Sequence, residues 1–465
     1  MPVWLTANGR RCIVRSCQAC IDGSAEITVT SQVPVPTDEP DGAPRLPSLD
    51  ILRGLAIMGI LFMNINDTGA SMNASFGDVR HLGWSAPDRV AWWLRAVFAD
   101  GTARGVLEML FGVGMVILTA RFAERGGEGA ALLRYGWRNA VLFALGIAHV
   151  LILLWPGDIL HTYAIAALLI FPLRHARPRL LLTLGLSLAT LQLVGGGLGY
   201  MDARQEAIVY RTSTAHLTAH EPLTREERAA VDHRAERDRR LAKEMRAAVE
   251  EDAARTGTAM QWVQYQWRQA WTLQAEGLEP FVVLEAWATM LIGAALFKLG
   301  WLQGEQSARW YGRAALIVYA LALVLRVTEA TESMSFMDAP HLSDATSEYG
   351  RLSMSLGHVL LVNWLLASGR GGRWLRPFAA AGRSALSLYI LQTLVMLWLL
   401  FPPWGLRLYG QFGWASLMVL AAVIDTALLV LAVWWMRRFR IAPVEWAWRS
   451  IVAGRALPFR RTERG

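Results

Sequence analysis

Residues 50–54, Asp50-Ile51-Leu52-Arg53-Gly54, open an apolar run that continues from Leu55 to Ile65, and the reading of this stretch decides the fold. An arginine carried to mid-bilayer costs about 2.5–3.5 kcal/mol, and less near the interface, where its stem lets the guanidinium snorkel to water. Asp50 and Arg53 are three apart, share a helix face and can form an ion pair. The run therefore reads as a first transmembrane helix with a charged pair at its mouth. That pair is either functional or a plain positive anchor at a helix start.

The rest of the chain carries the same signal. Its 465 residues are 54% hydrophobic and 18% charged, with 21 tryptophans and a mean hydropathy of +0.29. Such a composition excludes an ordinary soluble domain and predicts an all-α polytopic transmembrane bundle. About ten spans are expected, at 51–66, 105–120, 139–155, 159–173, 180–200, 280–301, 314–327, 352–368, 379–400 and 417–436. The net charge of +8 gathers in short turns such as Arg174/Arg177/Arg179 and Arg370/Arg373/Arg376, and in the C-terminal tail. With about ten spans and both termini cytoplasmic, those clusters fall on one side. The lipid bilayer is thus the first partner, and no aromatic-interleaved basic patch suggests nucleic acid.

Five segments follow: a disordered leader at 1–46, spans at 47–200, a charged helical extracytoplasmic loop at 201–279, spans at 280–440, and an interfacial basic tail at 441–465. The leader has no apolar run strong enough for a cleavable signal. Its cysteines, Cys12, Cys17 and Cys20, have no nearby histidine and are one ligand short of a zinc site, so no metal is expected. Residues 225–255 alternate in charge, as a solvated helix laced with i,i+4 pairs does. Trp262, Tyr265, Trp267 and Trp271 suit a membrane interface. In the tail, 443–449 reads as an amphipathic anchor.

Chemistry is sought among polar groups inside apolar runs. His149 lies on the third expected span. Asp158 and His161, three apart, share a face where a carboxylate can orient an imidazole for general-base work; the plainer alternative is an N-cap aspartate beside an interfacial histidine. His81 stands in the first outer loop, and His358 reads as a packing contact. Arg383, Tyr389 and Gln392 give the ninth span a polar stripe. No P-loop, G-x-S-x-G, H-E-x-x-H or dinucleotide fingerprint appears.

Several blocks, in order along nearly the whole chain after residue 44, resemble the YeiB-like family of bacterial membrane proteins, domain-of-unknown-function family 418. They are RLPSLDILRGLAIMGILFMNI near the start, LFGVGM at 110–115, GIAHVLILLWPGDILHTYA at 146–164, MLIGAALFKLGWL at 290–302, GRSALSLYILQ at 382–392 and PVEWAWR at 443–449. That family is in turn similar to transmembrane acyltransferases, which include bacterial envelope-glycan O-acyltransferases and the lysosomal heparan-glucosaminide N-acetyltransferase. The resemblance implies an inner-membrane protein that takes an acyl group from cytosolic acyl-CoA to a glycan, lipid or small-molecule acceptor. The shared element is an arginine in a D-x-x-R-G-like context, here Arg53. The O-acyltransferases place a histidine eleven residues further on; this chain has Asn64, which cannot be a general base at neutral pH. Eleven residues rise about 16 Å and return to nearly the same helix face. The lysosomal enzyme also has asparagine there and a histidine in the next luminal segment, which points to His81. His149 and His161 are the rivals.

The expected assignment puts Asp50, Arg53, Asn64, Arg383 and Gln392 along the acyl-CoA path, and His149 or His161, oriented by Asp158, as the base. A transporter or permease for a small solute would use the same buried polar groups, and a non-catalytic membrane protein is the third reading. Sequence leaves the oligomeric state undetermined.

Overall fold

The computed structural model describes residues 4–7, 10–13, 46–275, 278–336 and 340–460. Strands β1 (Trp4–Ala7) and β2 (Arg10–Ile13) pair antiparallel, with Trp4 opposite Ile13, in a separate N-terminal unit. Cys12 lies in β2. Cys17, Cys20 and the rest of the leader lie outside the described residues.

The second unit is all helical. Its first half runs through α1 (Pro47–Gly69), α2 (Met72–Phe76), α3 (Ala86–Phe98), α4 (Thr102–Leu151), α5 (Leu160–Ile170) and α6 (Pro178–Thr218). Then come α7 (Arg225–Thr256), α8 (Ala259–Ala275), α9 (Leu278–Lys298), α10 (Ala308–Ser335) and α11 (Ser343–Ala367). It closes with α12 (Gly372–Arg383), α13 (Ala385–Leu394), α14 (Trp414–Arg438) and α15 (Pro443–Ala453). In α1, Pro47 presets the first turn and Asp50 meets the positive end of the helix dipole.

Among the described residues, six helices are long and apolar enough to cross a membrane, or seven if one bent pair is a single span. That pair is α12 with α13 and its π-helical continuation 395–400, bent by 78°. The expected spans 105–120 and 139–155 fall on either side of a kink in α4 at Gly127, whose non-helical φ of 77° suits glycine. The expected 159–173 is a short apolar helix, and the expected 352–368 lies in α11, whose first turns carry Asp344, Glu348 and Arg351.

Glycine lets the helices meet backbone to backbone, as small residues do in membranes. A Cβ on Gly54 of α1 would collide with the Phe378 carbonyl of α12, and one on Gly382 with the Asp50 carbonyl. Gly112 of α4 and Gly293 of α9 make the corresponding approach, against the Met290 and Met109 carbonyls.

The charged segment forms a continuous helix, α7, started by a Thr224–Glu227 capping box. Its far end is not solvated. Glu251 and Arg255 are 1% and 2% exposed and form an ion pair of 2.9 Å. Glu251 accepts hydrogen bonds from the Ser71 hydroxyl and the backbone N–H groups of Met72 and Asn73. Arg255 donates to the carbonyls of Asp67, Thr68 and Ala70, groups that the end of α1 leaves unpaired. Its guanidinium sits 4.6 Å from the Trp262 ring and 4.4 Å from the Tyr409 ring, near enough for cation–π attraction. Burial raises the Tyr409 phenol above its ordinary range, so it remains a donor, bonded to Asp252 at 2.7 Å. The tail helix α15 is likewise pinned as well as amphipathic: Glu445, 5% exposed, accepts from the Leu386 and Ser387 N–H groups at the start of α13.

Candidate functional site

The loop between α4 and α5, 152–159, folds back into the bundle, and the sequence provides for it in three ways. Gly146 leaves room: a Cβ there would strike the His161 backbone nitrogen and sit 2.7 Å from Asp158 Oδ2. Leu154 turns the chain with a φ of 62°, uncommon for a bulky residue. From α8, Gln266 donates to the Leu154 carbonyl at 2.8 Å and Trp267 to the Leu151 carbonyl at 2.9 Å, so one loop carbonyl and one at the end of α4 are satisfied.

This fold-back places Asp158 between two imidazoles. His149 Nδ1 donates to Asp158 Oδ1 and His161 Nδ1 to Oδ2, each at 2.7 Å. Oδ2 also accepts from the Leu160 and His161 backbone N–H groups, and Oδ1 from the Tyr389 hydroxyl at 3.3 Å. Asp158 therefore precedes the Ile159 N-cap, accepts from the first backbone N–H groups of α5 and holds both imidazoles. With Nδ1 of each ring protonated, Nε2 is the working atom. His149 Nε2 faces the Thr393 hydroxyl at 2.9 Å, and its side chain is fully enclosed. His161 Nε2 stands 3.2 Å from the Gln274 amide nitrogen and 3.3 Å from Glu279 Oε1. The neutral ring accepts from Gln274 and the protonated ring donates to Glu279, so both charge states have a partner. Thr162 also donates to Glu279, at 2.7 Å. Among the described residues no His, Cys, Asp or Glu grouping has metal-ligand geometry.

Asp50 and Arg53 pair at 3.0 Å, with the Arg53 side chain 37% exposed. Their neighbourhood is basic, because Arg138 feels the charges of both Arg53 and Arg449 and lies 4.6 Å from the Trp448 ring. One turn further along α1, the Ile57 carbonyl accepts from Gln392 at 3.1 Å. Gln392 also donates to Asp425 of α14 at 3.3 Å, and the adjacent Thr393 meets His149. Gln392 and Thr393 thus bring α13 against both the Ile57 carbonyl of α1 and His149. Asn64 is half-buried on α1, further along than Gln392 reaches. Arg383 closes α12, its Nε 3.4 Å from the Ala379 carbonyl. His81 is not brought to the pair; it bonds Asp252 at 2.6 Å beside the end of α7. His358 makes the expected packing contact, donating to the Met354 carbonyl at 2.7 Å.

A second polar centre went unread in the sequence. Arg351 of α11 bonds Glu348 in bidentate fashion at 2.8 Å, Glu108 of α4 at 3.0 Å, and Glu285 and Thr289 of α9 at 3.0 and 2.9 Å. Arg104 adds a further bond to Glu285. The signal was available, since Glu108 in VLEML and Glu285 in VLEAW are lone carboxylates in apolar runs. Asp425, alone in AAVIDTALL on α14, is a third case.

Apolar helices around these buried polar centres define a polytopic helical membrane protein with a histidine–carboxylate site in its interior. Residues 296–455 match the family described as Protein of unknown function (DUF418). YxaH of Bacillus subtilis is 26% identical over 424 residues, covering 87% of this chain and 94% of its own. YeiB of Escherichia coli is 26% identical over 421 residues, covering 88% and 97%. A 39.9 kDa protein from the amylase 3′ region of Bacillus acidopullulyticus is 32% identical over 139 residues, 30% of this chain and 35% of its own. No solved structure matches. The chain is thus similar to DUF418 proteins over 296–455 and to YxaH and YeiB over most of its length.

Proposed function

We propose that the protein is an acyl-CoA-dependent acyltransferase of the bacterial inner membrane, with both termini cytoplasmic, acting on an extracytoplasmic or membrane-associated acceptor. The observation that carries this reading is the Asp158 carboxylate gripping both imidazoles while His161 Nε2 faces polar side chains. A carboxylate that fixes the tautomer and steadies the imidazolium makes an effective general base. His161 takes the proton from an acceptor hydroxyl or amine, and the acceptor oxygen or nitrogen attacks the thioester carbonyl. The carbon–sulfur bond breaks, and CoA leaves as a thiolate that recovers the proton. His149, enclosed and bonded through both ring nitrogens, positions Asp158. Arg53, with Arg138 and Arg449 near it, suits the anionic phosphates of CoA.

A transporter is the second reading. It is favoured by the unbroken series Thr393–His149–Asp158–His161–Glu279, through which a proton could pass. Acyl-CoA binding to the purified full-length protein separates the two. The enzyme reading expects saturable binding that weakens at least tenfold in Arg53→Ala. No binding by folded wild type at millimolar acyl-CoA would overturn it.

A further inference from the structure

A cavity of about 530 Å³ opens between α6, α9, α10 and α11, at the α10–α11 end that is remote from the arginines at 309 and 313. Its size falls within the range of small-molecule sites. Asp344 and Ser347 are exposed at its mouth; Glu285, Glu348 and Arg351 are buried at its floor.

Polar accounting decides what would enter. Five carboxylates (Asp100, Glu285, Glu329, Asp344, Glu348) and three guanidiniums (Arg104, Arg326, Arg351) line the wall, a difference of two negative charges. The arginines are largely committed to the protein. Arg351 spends its N–H groups on three carboxylates and Thr289. Arg326 donates to the Ala96, Val97 and Asp100 carbonyls at the end of α3, and to Glu329 at 2.8 Å. Among the described residues Arg104 Nε makes no hydrogen bond, standing 3.6 Å from Glu108. The carboxylates are less fully used. Glu285 takes both arginines through Oε1, Glu329 takes Arg326 through Oε2, and among the described residues no hydrogen bond or ion pair reaches the Asp344 carboxylate. The wall thus carries an excess of carboxylate oxygen, with the buried Nε of Arg104 as a donor beside it.

We infer that this cavity binds a small polar solute carrying a protonated amine, the ammonium held by the Asp344, Glu329 and Glu285 oxygens and an acceptor atom of the solute held by Arg104. The cavity lies close to the histidine pair, since Glu279 at His161 and Glu285 at its floor share one helix, and Tyr163 bonds the Arg104 carbonyl at 3.3 Å. The inference does not depend on acyl transfer and holds equally for an acceptor or a transported solute.

The test is calorimetric titration of the full-length protein in detergent with three matched probes: 4-amino-1-butanol, 1,4-butanediol and 4-hydroxybutyrate. The amine is expected to bind saturably and the other two at least tenfold more weakly. Asp344→Asn and Glu329→Gln, two variants outside the Arg351 network, should each weaken the amine about fivefold or more while melting like the wild type. Equal binding of diol and amine, preference for the anion, or amine binding untouched in both folded variants would each overturn the inference. So would no binding to folded wild type. Acyl-CoA binding, measured separately, reports on the proposed activity alone.

Discussion

The histidine pair around Asp158 and the carboxylate network around Arg351 are both buried, charged and built from several helices, yet they spend their hydrogen bonds differently. Arg351 places four of its five N–H groups on Glu348, Glu108 and Thr289, with Glu285 paired at Nε, so most of its capacity is spent within the protein. It ties α4, α9 and α11 together. Asp158 is similarly saturated, but it passes its effect to His161, whose Nε2 has one donor and one acceptor within reach and can change charge without losing a partner. Burial alone therefore does not mark a reactive group in this bundle. Unspent hydrogen-bonding capacity is the better guide, and it is the ground on which we propose His161 as the reactive group.

Substitutions can break this contrast. The largest effect on stability is expected for Arg351→Ala, which strands Glu348 and leaves Glu108 and Glu285 with Arg104 as their one cation. Removing one partner from such a set costs about 3–5 kcal/mol, so size-exclusion profiles in mild detergent should show aggregation or a lost monodisperse peak. A normal peak and melt would mean that the network is not structural. Asp158→Asn comes next. It weakens two imidazole bonds and two backbone bonds at a cost of about 1–3 kcal/mol, and transferase turnover should fall by at least a hundredfold while a folded fraction survives. Gly146→Ala forces a methyl group against Asp158 and the His161 backbone. Overpacking of about 1–3 kcal/mol is expected, with a lower melting temperature and reduced turnover together. Arg53→Ala removes a half-exposed pair worth about 0–1 kcal/mol. Its melt should stay close to wild type while acyl-CoA binding falls, the reverse of Arg351→Ala.

Local spacing made part of this legible. The Asp50–Arg53 pair lies within α1 and the Asp158–His161 pair spans the start of α5; each is three apart, and both form. His149 and Asp158 were separately visible, but their meeting depends on the fold-back at Gly146 and Leu154, a tertiary event that periodicity does not encode. Glu251 and Arg255 were hidden for the opposite reason. In 225–255 every turn is charged, so a buried i,i+4 pair looks like its solvated neighbours. The expected spans were read as separate runs of hydropathy. The kink of α4 at Gly127 falls between two of those runs, whereas the 78° bend after α12 lies within one and is a helix-junction event that hydropathy averages away. The placement of His81 beside Asp252 likewise follows from where α7 docks, 171 residues away in sequence.

The most direct test of the central claim is single-turnover loss of a short-chain acyl-CoA thioester by purified wild type and by His161→Gln, both confirmed folded by their melts. Glutamine keeps hydrogen bonding at that position but cannot accept the proton. The account predicts that thioester consumption falls about 10²–10⁴-fold in the variant, with acyl-CoA affinity within twofold of wild type. Wild-type turnover that persists in His161→Gln would contradict it, as would folded wild type that consumes no thioester.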